Sequence, residues 1–152
     1  MIDKIDVKIL NMLQDDGRTK RNVLAEAVGL SLPSLSERLK KLEEKGIITG
    51  YFTKINLKTF GLDLKVFITI HTESSKHYES LTKHVNETDE ILECFAVLGE
   101  GSHIMKAVVK DSESLENLLG RIQSWEGVKR THSRFVLSTI KETTKINVKI
   151  KE

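Results

Sequence analysis

The chain contains one cysteine and one proline in 152 residues, and aromatic side chains make up only 5% of it. A lone thiol, Cys94, rules out an internal disulfide and is what a reducing compartment permits. No apolar run approaches the roughly 18 residues that a membrane-spanning helix needs. The N-terminus, MIDKIDVKIL, mixes charged and apolar residues at helical spacing, unlike a signal or transit peptide. Low-complexity segments and fixed-period repeats are missing as well. Together these absences predict a cytoplasmic, globular protein.

What is present is unevenly spread. The net charge is only +2, yet residues 17 to 58 hold nine Lys/Arg against four Asp/Glu, while residues 64 to 140 hold nine against eleven. A mildly basic head on a mildly acidic body fits a polyanion-binding part joined to a non-binding part. The length allows one ordinary domain or two small ones, and the change of period along the chain favours two.

Ile5, Ile9, Leu10 and Leu13 form a first helical stripe, closed by Asp15, Asp16 and Gly17. Thr19 offers an N-cap hydroxyl for a short second helix carrying Val23, Leu24, Ala27 and Val28 and stopping at Gly29. Ser31 is the next N-cap, Pro33 fits the first turn of a third helix, and that helix is expected from about Leu32 to Lys45, ending at Gly46. Its stripe is Leu32, Leu35, Leu39 and Leu42. Three helices with a tight turn before the last make a helix-turn-helix pattern. The polar side of the third helix reads either as solvated surface over a leucine stripe or as a surface that meets nucleic acid. Ser31, Ser34 and Ser36 supply short hydroxyls near its start, and Arg38, Lys40 and Lys41 supply cations for phosphates. Arg18, Lys20 and Arg21 add charge at the start of the second helix, where backbone N–H groups also favour a phosphate.

After Gly46, "IITGYFTKIN" is strand-like and residues 56–63 read as a connector. Four β-rich runs then alternate with two helical ones: "LKVFITIHT", a helix from Tyr78 to Thr88, "ILECFAVLG", "HIMKAVVK", a helix capped by Ser112, and "VKRTHSRFVLSTI". This βαββαβ order predicts an α+β protein whose second domain is a ferredoxin-like antiparallel sheet with both helices on one face. The tail "KINVKI" alternates and is expected to add an edge strand. The predicted division is a helix-turn-helix domain at 1–50, a linker strand at 51–63 and a ferredoxin-like domain at 64–152.

These segments, in this order and spacing, resemble the leucine-responsive and asparagine-responsive regulators of the Lrp/AsnC family over nearly the whole chain. "IDKIDVKILNMLQDDGR" is similar to the family's opening helix, "LAEAVGLS" with "ERLKKLEEKGII" to its winged-helix-like helix-turn-helix, and "GYFTKINLKTFGL" to its linker strand. "ILECFAVLGEGSHIMKAVV" and "GVKRTHSRFVLSTIK" resemble its effector-binding and assembly (RAM-type) domain. The resemblance implies a sequence-specific, DNA-binding transcriptional regulator without catalytic activity or cofactor. It further implies homodimers joined into larger rings, often octamers, controlled by a small amino-acid effector bound between dimers. Arg38 matches a near-constant arginine, expected to touch the DNA backbone while bracing the helices. The implied effector loop is Gly99, Glu100, Gly101, Ser102 and His103, with Thr131 and Ser133 of the last strand adding hydroxyls. In this loop the family often reads Gly, acid, aromatic, Asp, aromatic, so Gly101 and Ser102 depart from it, and Ser133 stands where a Thr is common.

Two other classes bear on the reading. Some family relatives are tetrapyrrole decarboxylases, but the five histidines form no recognisable acid/base arrangement with carboxylates. A metal sensor would use Cys94, His103 and His132 from three neighbouring strands, although none has a paired ligand at metal-site spacing.

Overall fold

Asp3 opens the first helix. In the computed structural model, which describes residues 2–149, its carboxylate accepts from the Asp6 N–H at 2.8 Å and the Asp6 carboxylate accepts from the Asp3 N–H at 3.0 Å. This reciprocal capping box starts α1 (Lys4–Asp15), followed by α2 (Arg21–Val28) and α3 (Leu32–Glu44). Ser31 caps α3 as expected, its Oγ accepting from the Ser34 N–H at 3.4 Å, with Pro33 in the first turn. Ile9, Leu24, Ala25, Leu35 and Leu39 close the core of the three helices.

Local details differ from expectation for identifiable reasons. Thr19 does not cap α2: its hydroxyl donates to the Asp16 carbonyl at 2.6 Å, closing the turn after α1, and Lys20 precedes α2 without a side-chain cap. Leu32 belongs to the stripe by spacing but remains 49% exposed, because it begins α3 beyond the reach of α1 and α2. Residues 51–56 form no strand, and only a turn of 3-10 helix follows (Leu57–Phe60). A strand needs a partner edge for its N–H and C=O groups, and no ladder partner for this segment exists among the described residues.

The tail also departs from expectation. Residues 145–149 add no strand to the sheet, and residue 150 lies outside the described residues. Instead the Ile146 N–H donates to Gln14 Oε1 at 2.8 Å, Gln14 Nε2 donates to the Ile146 carbonyl at 3.1 Å, and Lys145 pairs with Asp15. The amide of Gln14 imitates a peptide group and ties the tail to the end of α1. One compact unit therefore joins the residues up to Lys54 with those from Lys141 onward, and a second comprises Ile55–Ile140.

The second unit holds β1 (Leu64–Thr72), α4 (Tyr78–Asn86), β2 (Ile91–Ala96), β3 (His103–Val109), α5 (Ser112–Gln123) and β4 (Val128–Phe135). The strands form one antiparallel sheet in the order β2-β3-β1-β4, the ferredoxin-like arrangement. Asp111, not Ser112, caps α5: its carboxylate reaches the Ser114 N–H at 2.8 Å, and a carboxylate one residue earlier outcompetes the hydroxyl for that donor. Val66, Ile68 and Ile70 of β1 and Met105 and Ala107 of β3 pack against Leu81, Leu115, Leu118 and Ile122 of the helices. Strand alternation turns the intervening residues to the opposite face.

Leu35 and Leu32 separate burial from spacing. Leu35→Ala should cost about 2–5 kcal/mol in urea denaturation, as removal of a fully buried side chain does, whereas Leu32→Ala should stay within about 0.5 kcal/mol.

Candidate functional site

On α3, spacing divides the polar side chains between two flanks. Ser34, Arg38 and Lys41 succeed one another at four and three residues, and Ser36 and Lys40 at four. Ser31 and Ser34 share a hydroxyl–hydroxyl contact of 2.9 Å at the start of the helix, and Arg21 Nη1 reaches Ser36 Oγ at 3.4 Å, bringing the start of α2 beside α3. Arg18 is exposed, and its backbone N–H donates to Asp16 Oδ1 at 2.8 Å. Lys20 at the N-cap and Arg21 at the first position of α2 flank N–H groups that no side chain caps, an arrangement suited to a phosphate.

The cations on α3 are of two kinds. Lys40 pairs with Glu44 at 3.6 Å and Lys41 with Glu37 at 2.6 Å, all well exposed, so these pairs contribute little and exchange readily for another anion. Arg38 is committed: its Nη1 lies 2.7 Å from both Asp3 Oδ2 and Asp6 Oδ1, and the Asp6 side chain is only 10% exposed. The Asp6 and Asp3 carboxylates push the guanidinium pKa up still further. The bracing expected of Arg38 is thus visible as a clamp from α3 onto the cap of α1. Asp3 and Asp6 were missed from the sequence, although an acid at the N-cap with another three residues on is a capping-box signal.

In the second unit the loop from Gly99 to His103 splits between the two faces of the sheet. Glu100 shares a depression of about 310 Å³ on the open face with Thr69, His71, Arg130, His132 and Arg134. Gly99 is exposed. Gly101 has φ +91°, and a Cβ there would stand 2.4 Å from Thr69 Cγ2, so both conformation and space require glycine. Ser102 stitches the loop to β1: its N–H donates to the Ile70 carbonyl at 2.8 Å, its hydroxyl donates to the same carbonyl at 3.1 Å, and it accepts from the Thr72 N–H at 3.2 Å. His103 turns to the helix-covered face and is buried. Thr131 and Ser133 lie opposite Ile70 and Ile68 in the ladder, hence on that same face, and Gln123 Nε2 donates to the Thr131 hydroxyl at 2.9 Å. His103, Ile70 and Thr131 form one row across β3, β1 and β4, so Ile70 separates the histidine from the threonine. The predicted effector residues do not converge within one chain.

Two family models match. "Winged helix-turn-helix DNA-binding" covers residues 2–49, and "Lrp/AsnC ligand binding domain" covers residues 65–146. The chain belongs to the Lrp/AsnC family. It is 35% identical to the HTH-type transcriptional regulator FL11 of Pyrococcus furiosus, with 98% of each chain covered. It is 33% identical to the leucine-responsive regulatory protein of Escherichia coli, covering 97% of this chain and 92% of that one. Among solved structures, a Neisseria meningitidis regulator in complex with L-methionine superposes with a TM-score of 0.90 at 34% identity, covering 96% of both chains. A feast or famine regulatory protein of Mycobacterium tuberculosis, also complexed with L-methionine, gives 0.90 at 29% identity over 97% of this chain and all of that one.

Membership in the Lrp/AsnC family makes the chain a DNA-binding transcriptional regulator rather than an enzyme, in keeping with its relatives. The metal-sensing alternative also fails on geometry. Cys94 and His103 register with Met105 and Ile70 on the helix-covered side, whereas His132 registers with Thr69 on the open side. Among the described residues no helix is long and apolar enough to cross a membrane.

The clamp has a pH signature. Asp3 is held below the ordinary aspartate value of 3.8, first by the Asp6 N–H and then by the Arg38 guanidinium. A lowered folded-state value means that this stabilisation is complete above pH 3.8 and drains away as pH falls through the folded value. Thermal melts of wild type and Arg38→Gln across the acid range should show a lower melting temperature for the variant at neutral pH and convergence of the two curves in acid.

Proposed function

We propose that this chain regulates transcription as an amino-acid-responsive homo-oligomer in the cytoplasm, with residues 1–50 as the DNA-reading head and residues 64–152 as the sensing and assembly body. Residues 51–63 join the two. The presentation of α3 carries the reading: a rigidly clamped helix whose start displays Ser31, Ser34 and Ser36 and whose flanks display exposed, exchangeable Lys40 and Lys41. Arg18, Lys20 and Arg21 flank it as phosphate contacts, and Arg38 sets the angle of α3 while its edge remains within reach of the backbone.

Self-association is supported by apolar surface that the single chain leaves uncovered. Phe52 is 89% exposed beside Tyr51 and Ile55, in a segment without ladder partners among the described residues, and Leu137 and Ile140 beyond β4 are each 98% exposed. A second copy supplying strand edges and apolar cover would satisfy these groups, and pairing would set two α3 helices about 34 Å apart on a roughly palindromic operator. Dimers joining into a ring, an octamer in the expected form, would place an amino-acid effector between them, beside Gly99–Ser102. The relatives solved with L-methionine support an amino acid as the ligand class. The N–H groups of a glycine-containing turn suit its carboxylate, and Glu100 suits its ammonium.

The test is a salt titration of DNA binding. Lys40→Ala combined with Lys41→Ala should weaken binding to unrelated duplexes and to operator DNA about equally and reduce the slope of log K against log salt by about 2. An unchanged slope would remove α3 as the DNA-contacting surface.

A further inference from the structure

On the open face of the sheet, Arg130, His132 and Arg134 alternate along β4 beside His71 and Thr69 of β1. Arg130 and Arg134 leave the strand about 13 Å apart, yet both side chains line the depression that Glu100 borders. Each is drawn in by a residue of β1: Arg130 Nη2 lies 3.2 Å from His71 Nε2, and Arg134 Nη1 lies 3.3 Å from the Thr69 hydroxyl. A guanidinium has no acceptor, so the arginine donates in both contacts, and neither acceptor is a carboxylate. Arg38 and Arg121 are held differently, each by a carboxylate. Among the described residues no carboxylate pairs with Arg130 or Arg134, and no cation pairs with Glu100. All three are exposed, so a ligand can reach them.

The position of Glu100 is not a matter of chance. Gly101 follows it with φ +91° and so close to β1 that a Cβ would stand 2.4 Å from Thr69 Cγ2. The loop backbone therefore lies against the strand whose Thr69 and His71 hold the arginines. Two cations and one carboxylate then surround a depression of about 310 Å³. The complementary ligand carries one cation and two carboxylates. A purely anionic ligand would meet Glu100, whereas an amino acid with an apolar side chain would leave the guanidiniums unmatched. The planar fork of arginine fits a carboxylate in particular.

We propose that the effector is a dicarboxylic amino acid, L-glutamate or L-aspartate, whose ammonium meets Glu100 and whose side-chain carboxylate meets Arg130 and Arg134 across the depression. The inference rests on amino-acid control at the Gly99–Ser102 loop and names the class of amino acid. The α-carboxylate is left to the N–H groups of the glycine-containing turn. L-Methionine, present in two solved relatives, offers nothing to the two arginines.

Calorimetry on the full-length protein at matched ionic strength tests this with L-glutamate, L-aspartate, L-glutamine, L-methionine and glutarate. An acidic amino acid should bind about tenfold tighter than L-glutamine or L-methionine, the difference that a charge-assisted hydrogen bond supplies. Glutarate keeps both carboxylates but lacks the ammonium, and should bind about tenfold more weakly than L-glutamate. Arg130→Gln and Arg134→Gln should each weaken the acidic amino acid about tenfold and change L-glutamine far less. Equal or tighter binding of L-glutamine or L-methionine, or undiminished L-glutamate binding by both variants, would overturn the proposal and leave amino-acid control at the loop standing. Glutarate binding as tightly as L-glutamate would remove the role of Glu100 and overturn it too. Binding of none of the amino acids would overturn both readings. The wild-type series is decisive even if a variant is unstable.

Discussion

Val66, Ile68 and Ile70 turn under α4 and α5, and the other directions in the second unit follow from that choice. Residues in register with them on β3 and β4 share the helix-covered face, and those between are turned to the open one. The alternation sends His103, Thr131 and Ser133 inward and Thr69, His132 and Arg134 outward. It also divides the loop after β2, whose acid lies on the open face and whose histidine lies on the covered one. A one-residue slip in β3 would exchange these roles and bury Lys106 in place of Met105.

Ser102 is the hinge of this division. Its backbone and side chain together make five hydrogen-bonding contacts, with the Ile70 carbonyl twice, the Thr72 N–H, the Val97 N–H and His103 Nδ1. Gly101 allows the close approach to β1 that brings Ser102 into place.

In the first unit, charge works in two ways on a single helix. Arg38 is held by two carboxylates, one of them nearly buried, where screening by solvent is weak and geometry is restrictive. Lys40 and Lys41 pair in the open, where the same chemistry contributes little and is easily exchanged. A helix that must meet a polyanion benefits from this separation, since the group that orients it is not the group that must let go. The capping box at Asp3 and Asp6 supplies both the start of α1 and the anchor for α3.

Much of this was legible in the chain. Leucines at helical spacing, Ser31 before Pro33 and glycines at helix ends specify α1 to α3, because caps and periodicity act within a few residues. Alternating apolar runs specify β1 and β3 for the same reason, and their βαββαβ order specifies the sheet. The positions of Thr19, Leu32 and the tail were not legible, since each depends on which distant group competes for a donor or covers a side chain. The linker reads as a strand by its residues, but its pairing needs an edge that the described residues do not provide. Likewise, nothing in the order of residues reveals that Arg38 would be committed to Asp3 and Asp6, or that His103 and Glu100, three positions apart, would serve opposite faces. Local propensity determined the elements; register and burial, which join residues far apart in the chain, decided what each functional side chain can reach.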